Sequence, residues 1–226
     1  MTQSYEIEIK SLLGSREAAE ILVEKMRASG VNFLEFGSHK QLNHYFTTGN
    51  TALLHSNTVK YLPEGQKIQF KSICDNATEF SLRTRQADKD VMLVIKASVD
   101  DTTSSNGTAR MEFEAKTPDL SLDQLDNLVL KSGFGYQAKW SRERREFKYK
   151  GLNVTIDKNA GYGYLAEFEA QITDPNMIDT TKAMIRGVMD ELGTPELTQE
   201  RLERMFAFYN ANWEDYYGTE KTFTID

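Results

Sequence analysis

Tyr5-Glu6-Ile7-Glu8-Ile9-Lys10 alternates with a period of two, apolar or aromatic at 5, 7 and 9 and charged at 6, 8 and 10. That alternation is a strand signature. Its unusual feature is a polar face made wholly of charges of both signs. Residues two apart in a strand share a face and lie about 7 Å apart, so Glu6, Glu8 and Lys10 point the same way. The same feature recurs along the chain. Arg83 and Arg85 oppose Phe80, Leu82 and Thr84, and Lys96 lies in Val91–Ser98. Arg110, Glu112 and Glu114 share a face of Arg110–Lys116. Residues 136–149 carry Arg142 and Arg144, Leu152–Asp157 ends on Asp157, and Tyr164–Ile172 carries Glu167 and Glu169.

The segments between these strands carry their own signals. Ser15 is placed to cap a helix whose stripe is Ala18, Ala19, Leu22, Val23 and Met26, ending at Gly30. Residues 33–47 read as a strand, Asn50–Leu62 as a short helix, Pro63–Gly65 as a turn and 66–73 as a further strand. Asp88-Lys89-Asp90 reads as a hairpin turn, and 100–108 as the most loop-like stretch. Ser121-Leu-Asp-Gln124 is a capping-box pattern opening a helix that stops at Gly133. Lys158–Gly163 is a turn. Asp174-Pro175 opens a helix running to Gly193, because proline suits the first helical position. A last helix spans about 198–217 with the stripe Leu202, Met205, Phe206, Tyr209 and Trp213. The order is many antiparallel strands with few helices, gathered at the C-terminus. It predicts an α+β fold on one curved or closed sheet.

The 226 residues predict a single domain over 1–226, with the sheet over about 5–172 and a helical segment over about 174–217. Lys plus Arg number 27 against 34 Asp plus Glu, a net charge of −7. An acidic chain is a poor general nucleic-acid binder, since displacing counterions needs positive charge. A small polyanion in a local basic pocket stays open. No apolar run approaches the length of a membrane span, and the N-terminus has no signal-peptide core. The expectation is a cytoplasmic protein with no nucleic-acid or membrane partner. The single Cys74 excludes an intramolecular disulfide and reads as inert; His39, His44 and His55 lack metal-ligand spacing.

On any one strand a charged face reads as a solvated surface, where ion pairs contribute roughly 0–1 kcal/mol each. Repeated on strand after strand, it reads better as a charged interior. Carboxylates two apart can share a hard divalent cation. Facing Arg and Lys can hold phosphate. Metal and cations together suit phosphoryl chemistry, where charge spreads over the transition state.

The motifs, in their order, resemble the CYTH superfamily of triphosphate tunnel metalloenzymes. Glu6-Ile-Glu8-Ile-Lys10 resembles its ExExK opening. Gln41-Leu-Asn-His-Tyr45-Phe46, Leu82-Arg83-Thr84-Arg85, Val94-Ile95-Lys96 and Arg110-Met-Glu112-Phe-Glu114 are similar to its successive strands. Arg142-Glu-Arg144-Arg-Glu-Phe147, Ile156-Asp157, Gly161-Tyr-Gly163 and Glu167-Phe-Glu169 resemble its closing motifs. The resemblance implies an eight-stranded antiparallel β-barrel with flanking helices, whose tunnel binds a triphosphate. It implies Glu6, Glu8, Asp157, Glu167 and Glu169 around Mg²⁺ or Mn²⁺, with Glu112 and Glu114 near the metals. It implies Lys10, Arg83, Arg85, Lys96, Arg110, Arg142 and Arg144 on the phosphates, and Glu6, Glu8, Lys10, Glu112 and Glu114 as the catalytic set. Thr47-Thr48 stands where the family has Asp or Asn, Phe147 replaces a Tyr, and the stretch from Phe46 to Leu82 exceeds the usual loop. That stretch is expected to be a lid, an extra hairpin or an interface.

The resemblance implies a metal-dependent triphosphatase acting on tripolyphosphate or a nucleoside or thiamine triphosphate. Two other readings remain at this stage: a class IV adenylyl cyclase releasing pyrophosphate, and a polyphosphate- or nucleotide-binding module without turnover. Crowded carboxylates predict activity favouring the alkaline side of neutrality. The 202–213 stripe predicts packing against the sheet or against a second subunit in a homodimer.

Overall fold

The computed structural model describes residues 5–30, 32–76, 79–98 and 110–225. The loop expected at 100–108 lies outside the described residues. Eight strands form one antiparallel sheet in the order β1-β8-β7-β6-β2-β3-β4-β5. In chain order these are β1 (Tyr5–Gly14), β2 (Leu34–Phe46), β3 (Glu79–Ala87), β4 (Asp90–Ser98), β5 (Arg110–Lys116), β6 (Tyr136–Tyr149), β7 (Leu152–Asn159) and β8 (Gly163–Ile172). The described helices are α1 (Arg16–Ala28), α2 (Thr51–Thr58), α3 (Lys67–Asn76), α4 (Leu122–Leu130), α5 (Ile178–Leu192) and α6 (Gln199–Asn212). The α+β class stands, but α1 to α4 alternate with the strands, so the expected gathering of helices at the C-terminus is corrected.

The chain divides into two compact units. The first comprises Met1–Lys40 and Ser141–Asp226. Its core sets Ile7, Ile9, Phe147, Val154, Ile156 and Phe168 of the sheet against Leu22, Val23 and Met26 of α1 and Ile185 and Met189 of α5. The alternation of β1 therefore resolves as expected, with Ile7 and Ile9 buried and Glu6 and Glu8 exposed. Ser15 caps α1 by accepting from the Ala18 amide. α5 begins with a 3₁₀ turn at Pro175–Met177 and ends at Gly193, in the left-handed conformation.

The stripe of α6 packs within its own chain. Met205 and Tyr209 are buried, and the rings of Phe206 and Tyr209 lie 6.1 and 6.4 Å from Tyr162. Gly161 permits this: a Cβ there would meet the Tyr209 ring at 2.7 Å.

The second unit is Gln41–Trp140. Its core joins Phe46, Leu82, Leu93, Ile95 and Phe113 of the sheet to Leu54, Phe70, Ile73, Leu122, Leu125 and Val129 of the helices. The capping box forms in full: the Ser121 hydroxyl accepts from the Gln124 amide, and the Gln124 side chain accepts from the Ser121 amide. The long stretch after Phe46 is a pair of helices, not a hairpin. Residues 66–73, expected as a strand, lie mainly in α3. Ile68-Gln-Phe-Lys71 alternates on paper, and the phase breaks at Ser72-Ile73. In the structure Ile68 is 86% exposed while Phe70, Ile73 and Cys74 turn inward at helical spacing. Phe70 stacks on Phe113 at 5.4 Å and on His55 at 5.5 Å. Tertiary packing thus selects the helical period over the period of two.

Candidate functional site

In the first unit the charged faces of four adjoining strands meet in register. Glu8 pairs with Glu169 and Lys10 with Glu167 across β1 and β8. Asn153 pairs with Glu169 and Thr155 with Glu167 across β8 and β7, and Asp157 pairs with Arg144 across β7 and β6. The side chains complete the rows. Lys10 bonds Glu8 and lies 3.4 Å from Glu167. Asn153 Nδ2 and Thr155 Oγ1 each donate at 3.3 Å, to Glu169 and Glu167. Arg144 donates from Nε and Nη2 to the two oxygens of Asp157 at 2.7 and 2.6 Å, and from Nη2 to Glu167 at 2.9 Å. Arg142 reaches Asp157 at 3.3 Å.

The electrostatics divide these groups. Burial opposes ionisation of Glu167, but Lys10, Arg144 and Arg142 outweigh it and hold its carboxyl below the usual range. Burial likewise opposes charge on Arg144, and Asp157 and Glu167 more than restore it. Glu6 behaves oppositely. Its hydrogen bond to Glu169, then partial burial, then the charges of Glu169, Glu8 and Glu167 push its carboxyl up. Crowded carboxylates resist joint ionisation, so a cation is favoured among them.

Among the described residues no three His, Cys, Asp or Glu side chains converge as a preformed metal cage. The donor set nonetheless fits a hard divalent ion. Glu6, Glu8, Glu167 and Glu169 lie close enough to act on one another electrostatically, and all offer oxygen. These are the residues that would hold Mg²⁺ or Mn²⁺. Both oxygens of Asp157 are engaged by arginine in this structure.

The second unit carries a cationic row. Asn43 pairs with Arg85, His44 with Thr84 and Tyr45 with Arg83 across β2 and β3. Arg83 Nη1 donates to the Tyr45 hydroxyl at 2.7 Å, and Arg85 Nε donates to Asn43 Oδ1 at 3.0 Å. Arg85 also reaches Glu114 at 3.1 Å. Tyr45, Ser81, Arg83, Val94 and Lys96 line a hollow of about 160 Å³. Arg110 and Glu112 lie on β5, Glu112 opposite Lys96; their side chains fall outside the described residues.

Sequence reasoning passed over three contributors. Asn43 and Tyr45 stood inside a quoted motif without a role. Asp126 is an acid in the otherwise apolar stripe Leu122, Leu125, Val129 of α4, and it is buried. That mismatch was the available signal. Of the histidines, His44 is the informative one: it is buried, with Nδ1 2.6 Å from Asp126. Cys74 is buried, and burial pushes its thiol up to about 12, in keeping with an inert side chain.

The sequence matches the CYTH domain over residues 73–201, more than half of the chain. The chain belongs to the CYTH family. No curated protein matches it. Among solved structures, a conserved hypothetical protein from Pyrococcus furiosus aligns with a TM-score of 0.52 at 19% identity, over 87% of this chain and 93% of that one. A proposed adenylate cyclase from Vibrio parahaemolyticus aligns with a TM-score of 0.53 at 11% identity, over 90% and 98%. At these identities the likeness is one of fold. No helix among the described residues is long and apolar enough to cross a membrane.

Proposed function

We propose that this CYTH protein is a divalent-metal-dependent triphosphatase acting on inorganic tripolyphosphate or an organic triphosphate. CYTH members are enzymes, triphosphatases or cyclases, and dependence on a divalent metal is general among them. The observation that carries the reading is the crowding of four carboxylates on β1 and β8, with Glu8 directly opposite Glu169 and the Glu6 carboxyl pushed up by Glu169, beside Lys10 opposite Glu167. A pure anion binder gains nothing from crowded carboxylates, which repel phosphate unless a cation is present. Bound there, a divalent metal would polarise phosphate oxygens and lower the pKa of a water.

The chain's own residues do the rest. Lys10, Arg142 and Arg144 supply fixed positive charge beside the carboxylates, and Arg83, Arg85 and Lys96 hold phosphate oxygens. Forks such as Arg83 and Arg85, held by Tyr45 and Asn43, need little reorganisation as charge develops. Water attacks the terminal phosphorus and gives up a proton, the bridging P–O bond breaks, the diphosphate end of the substrate leaves with the bridging oxygen, and the attacked phosphorus becomes orthophosphate.

A product assay tests this. Tripolyphosphate, ATP and thiamine triphosphate are offered with Mg²⁺ or Mn²⁺ while orthophosphate, pyrophosphate and cyclic AMP are read out. Metal-dependent orthophosphate is the expected result. Cyclic AMP with pyrophosphate from ATP would make the protein a cyclase, and tight binding without product under either metal would make it a binding module.

A further inference from the structure

We propose that Asp126 is a positioning residue for Arg83 and Arg85, bracing from behind the sheet the pair of strands that presents them. The inference rests on the phosphate-binding role just assigned to these arginines. Along β2 and β3 the side chains alternate. Asn43 and Tyr45 bond the two arginines on one face, while His44 and Thr84 are buried on the other. His44 and Thr84 are themselves a cross-strand pair, and they sit between the pairs Asn43–Arg85 and Tyr45–Arg83.

Asp126, 1% exposed, engages both members of that middle pair. Its Oδ1 accepts from the Thr84 hydroxyl at 2.5 Å, and its Oδ2 lies 2.6 Å from His44 Nδ1. Oδ2 also accepts from the Tyr136 hydroxyl at 2.7 Å. A single rigid carboxylate therefore ties β2 to β3 at the residues immediately flanked by the arginine pairs. A strand cannot shift or twist at Thr84 without moving Arg83 and Arg85, since peptide planes are stiff and adjacent side chains take opposite faces. Burying a carboxylate is costly unless every oxygen is satisfied, and here three donors surround it. A leucine at 126 would continue the apolar stripe of α4 without that cost, so packing alone does not account for the acid.

The experiment uses the intact protein with tripolyphosphate as the probe. Binding by calorimetry, KM, kcat and melting temperature are measured for Thr84→Val, Thr84→Ser, Tyr136→Phe and Arg83→Ala. Thr84→Val keeps the side-chain shape and removes the hydroxyl. It should weaken binding and raise KM by about tenfold, a usual cost for losing a group that orients a ligand-holding residue, with kcat changed less than about twofold. Thr84→Ser should restore both. Tyr136→Phe removes an equivalent bond to the same carboxylate, but not from the strand that carries the arginines. It should lower the melting temperature comparably and leave KM within about twofold. Equal KM shifts in Thr84→Val and Tyr136→Phe, tracking their loss of stability, would reduce Asp126 to structural glue. A normal KM in Thr84→Val with a raised KM in Arg83→Ala would overturn the bracing alone. Unchanged binding in Arg83→Ala would overturn the phosphate-binding role itself, and the bracing with it.

Discussion

Arg144 grips Asp157 with two hydrogen bonds, 2.7 and 2.6 Å long, one to each carboxylate oxygen, from the position directly across the β6–β7 ladder. Both partners are largely out of water, with side-chain exposures of 15% and 2%. The pair fixes the guanidinium so that its Nη2 also meets Glu167. The geometry assigns Asp157 the work of holding a cation in place.

Asp157→Ala leaves the Arg144 charge buried beside a vacancy. Breaking one half of such a pair costs roughly 3–5 kcal/mol. The expected outcome is a destabilised variant in urea unfolding, with no dependence of that loss on added Mg²⁺. A variant of normal stability without metal that loses only the stabilisation Mg²⁺ brings would make Asp157 a metal ligand instead.

Glu6 presents the reverse case. Its folded carboxyl is pushed up, chiefly by the hydrogen bond to Glu169, so ionisation is disfavoured in the native state. The sign follows: as pH rises above the unfolded value and then through the raised folded value, Glu6 costs stability. Glu6→Gln carries no ionisable proton and escapes that cost. Metal-free Glu6→Gln should therefore melt slightly higher than the parent at pH 8, with the gap closing toward pH 4. Its metal-dependent turnover should fall on the order of 100-fold or more, the loss typical of removing one charge that supports the transition state. A variant that melts lower at pH 8 would contradict the crowding, and near-normal turnover would remove Glu6 from the metal site.

Asp126 sets the acid limb of stability. Burial raises its carboxyl, but the bonds from His44, Thr84 and Tyr136 outweigh burial and hold it below the usual range. A depressed folded value gives stability that is present above the unfolded pKa of about 3.9 and is lost as pH falls through the folded one. Asp126→Asn lacks that contribution at every pH. The melting gap between parent and variant should be widest near pH 6 to 7 and shrink toward pH 3. A gap independent of pH would mean that shape, and not charge, is what the site loses.

Much of this was legible in the chain. Charged alternation marked the faces of β1, β3, β6 and β8, and the capping box marked α4, because both signals are local and set by a few neighbouring side chains. The helix α3 was not legible. Its alternation suits a strand, and only contact with Phe113 and His55, remote in sequence, chooses the helix. Asp126 was missed for the same reason: its partners His44 and Thr84 lie 82 and 42 residues away. Which carboxylates would meet arginine and which would meet each other was also hidden, since strand register across β1, β8, β7 and β6 decides it.

The turn between β7 and β8 offers a last test, because it links structure at Gly14 to charges on both strands. Gly163 has φ +75°, and a Cβ there would lie 2.2 Å from the Gly14 carbonyl oxygen. Gly14 lies where the β1–β8 register shifts, beyond the pairs that set Lys10 against Glu167 and Glu8 against Glu169. Gly163→Ala must therefore move backbone, not a flexible side chain. Gly151 is the control: its φ is +83° and an added Cβ meets nothing within 4 Å. Gly151→Ala should cost only the left-handed strain of roughly 1–2 kcal/mol and keep full turnover. Gly163→Ala should cost more in urea unfolding and also raise the metal concentration needed for half-maximal turnover, because β1 is displaced along β8. Equal stability losses in the two variants would mean that the Gly14 carbonyl yields freely. A large loss in Gly163→Ala with unaltered metal dependence would uncouple the turn from the carboxylates.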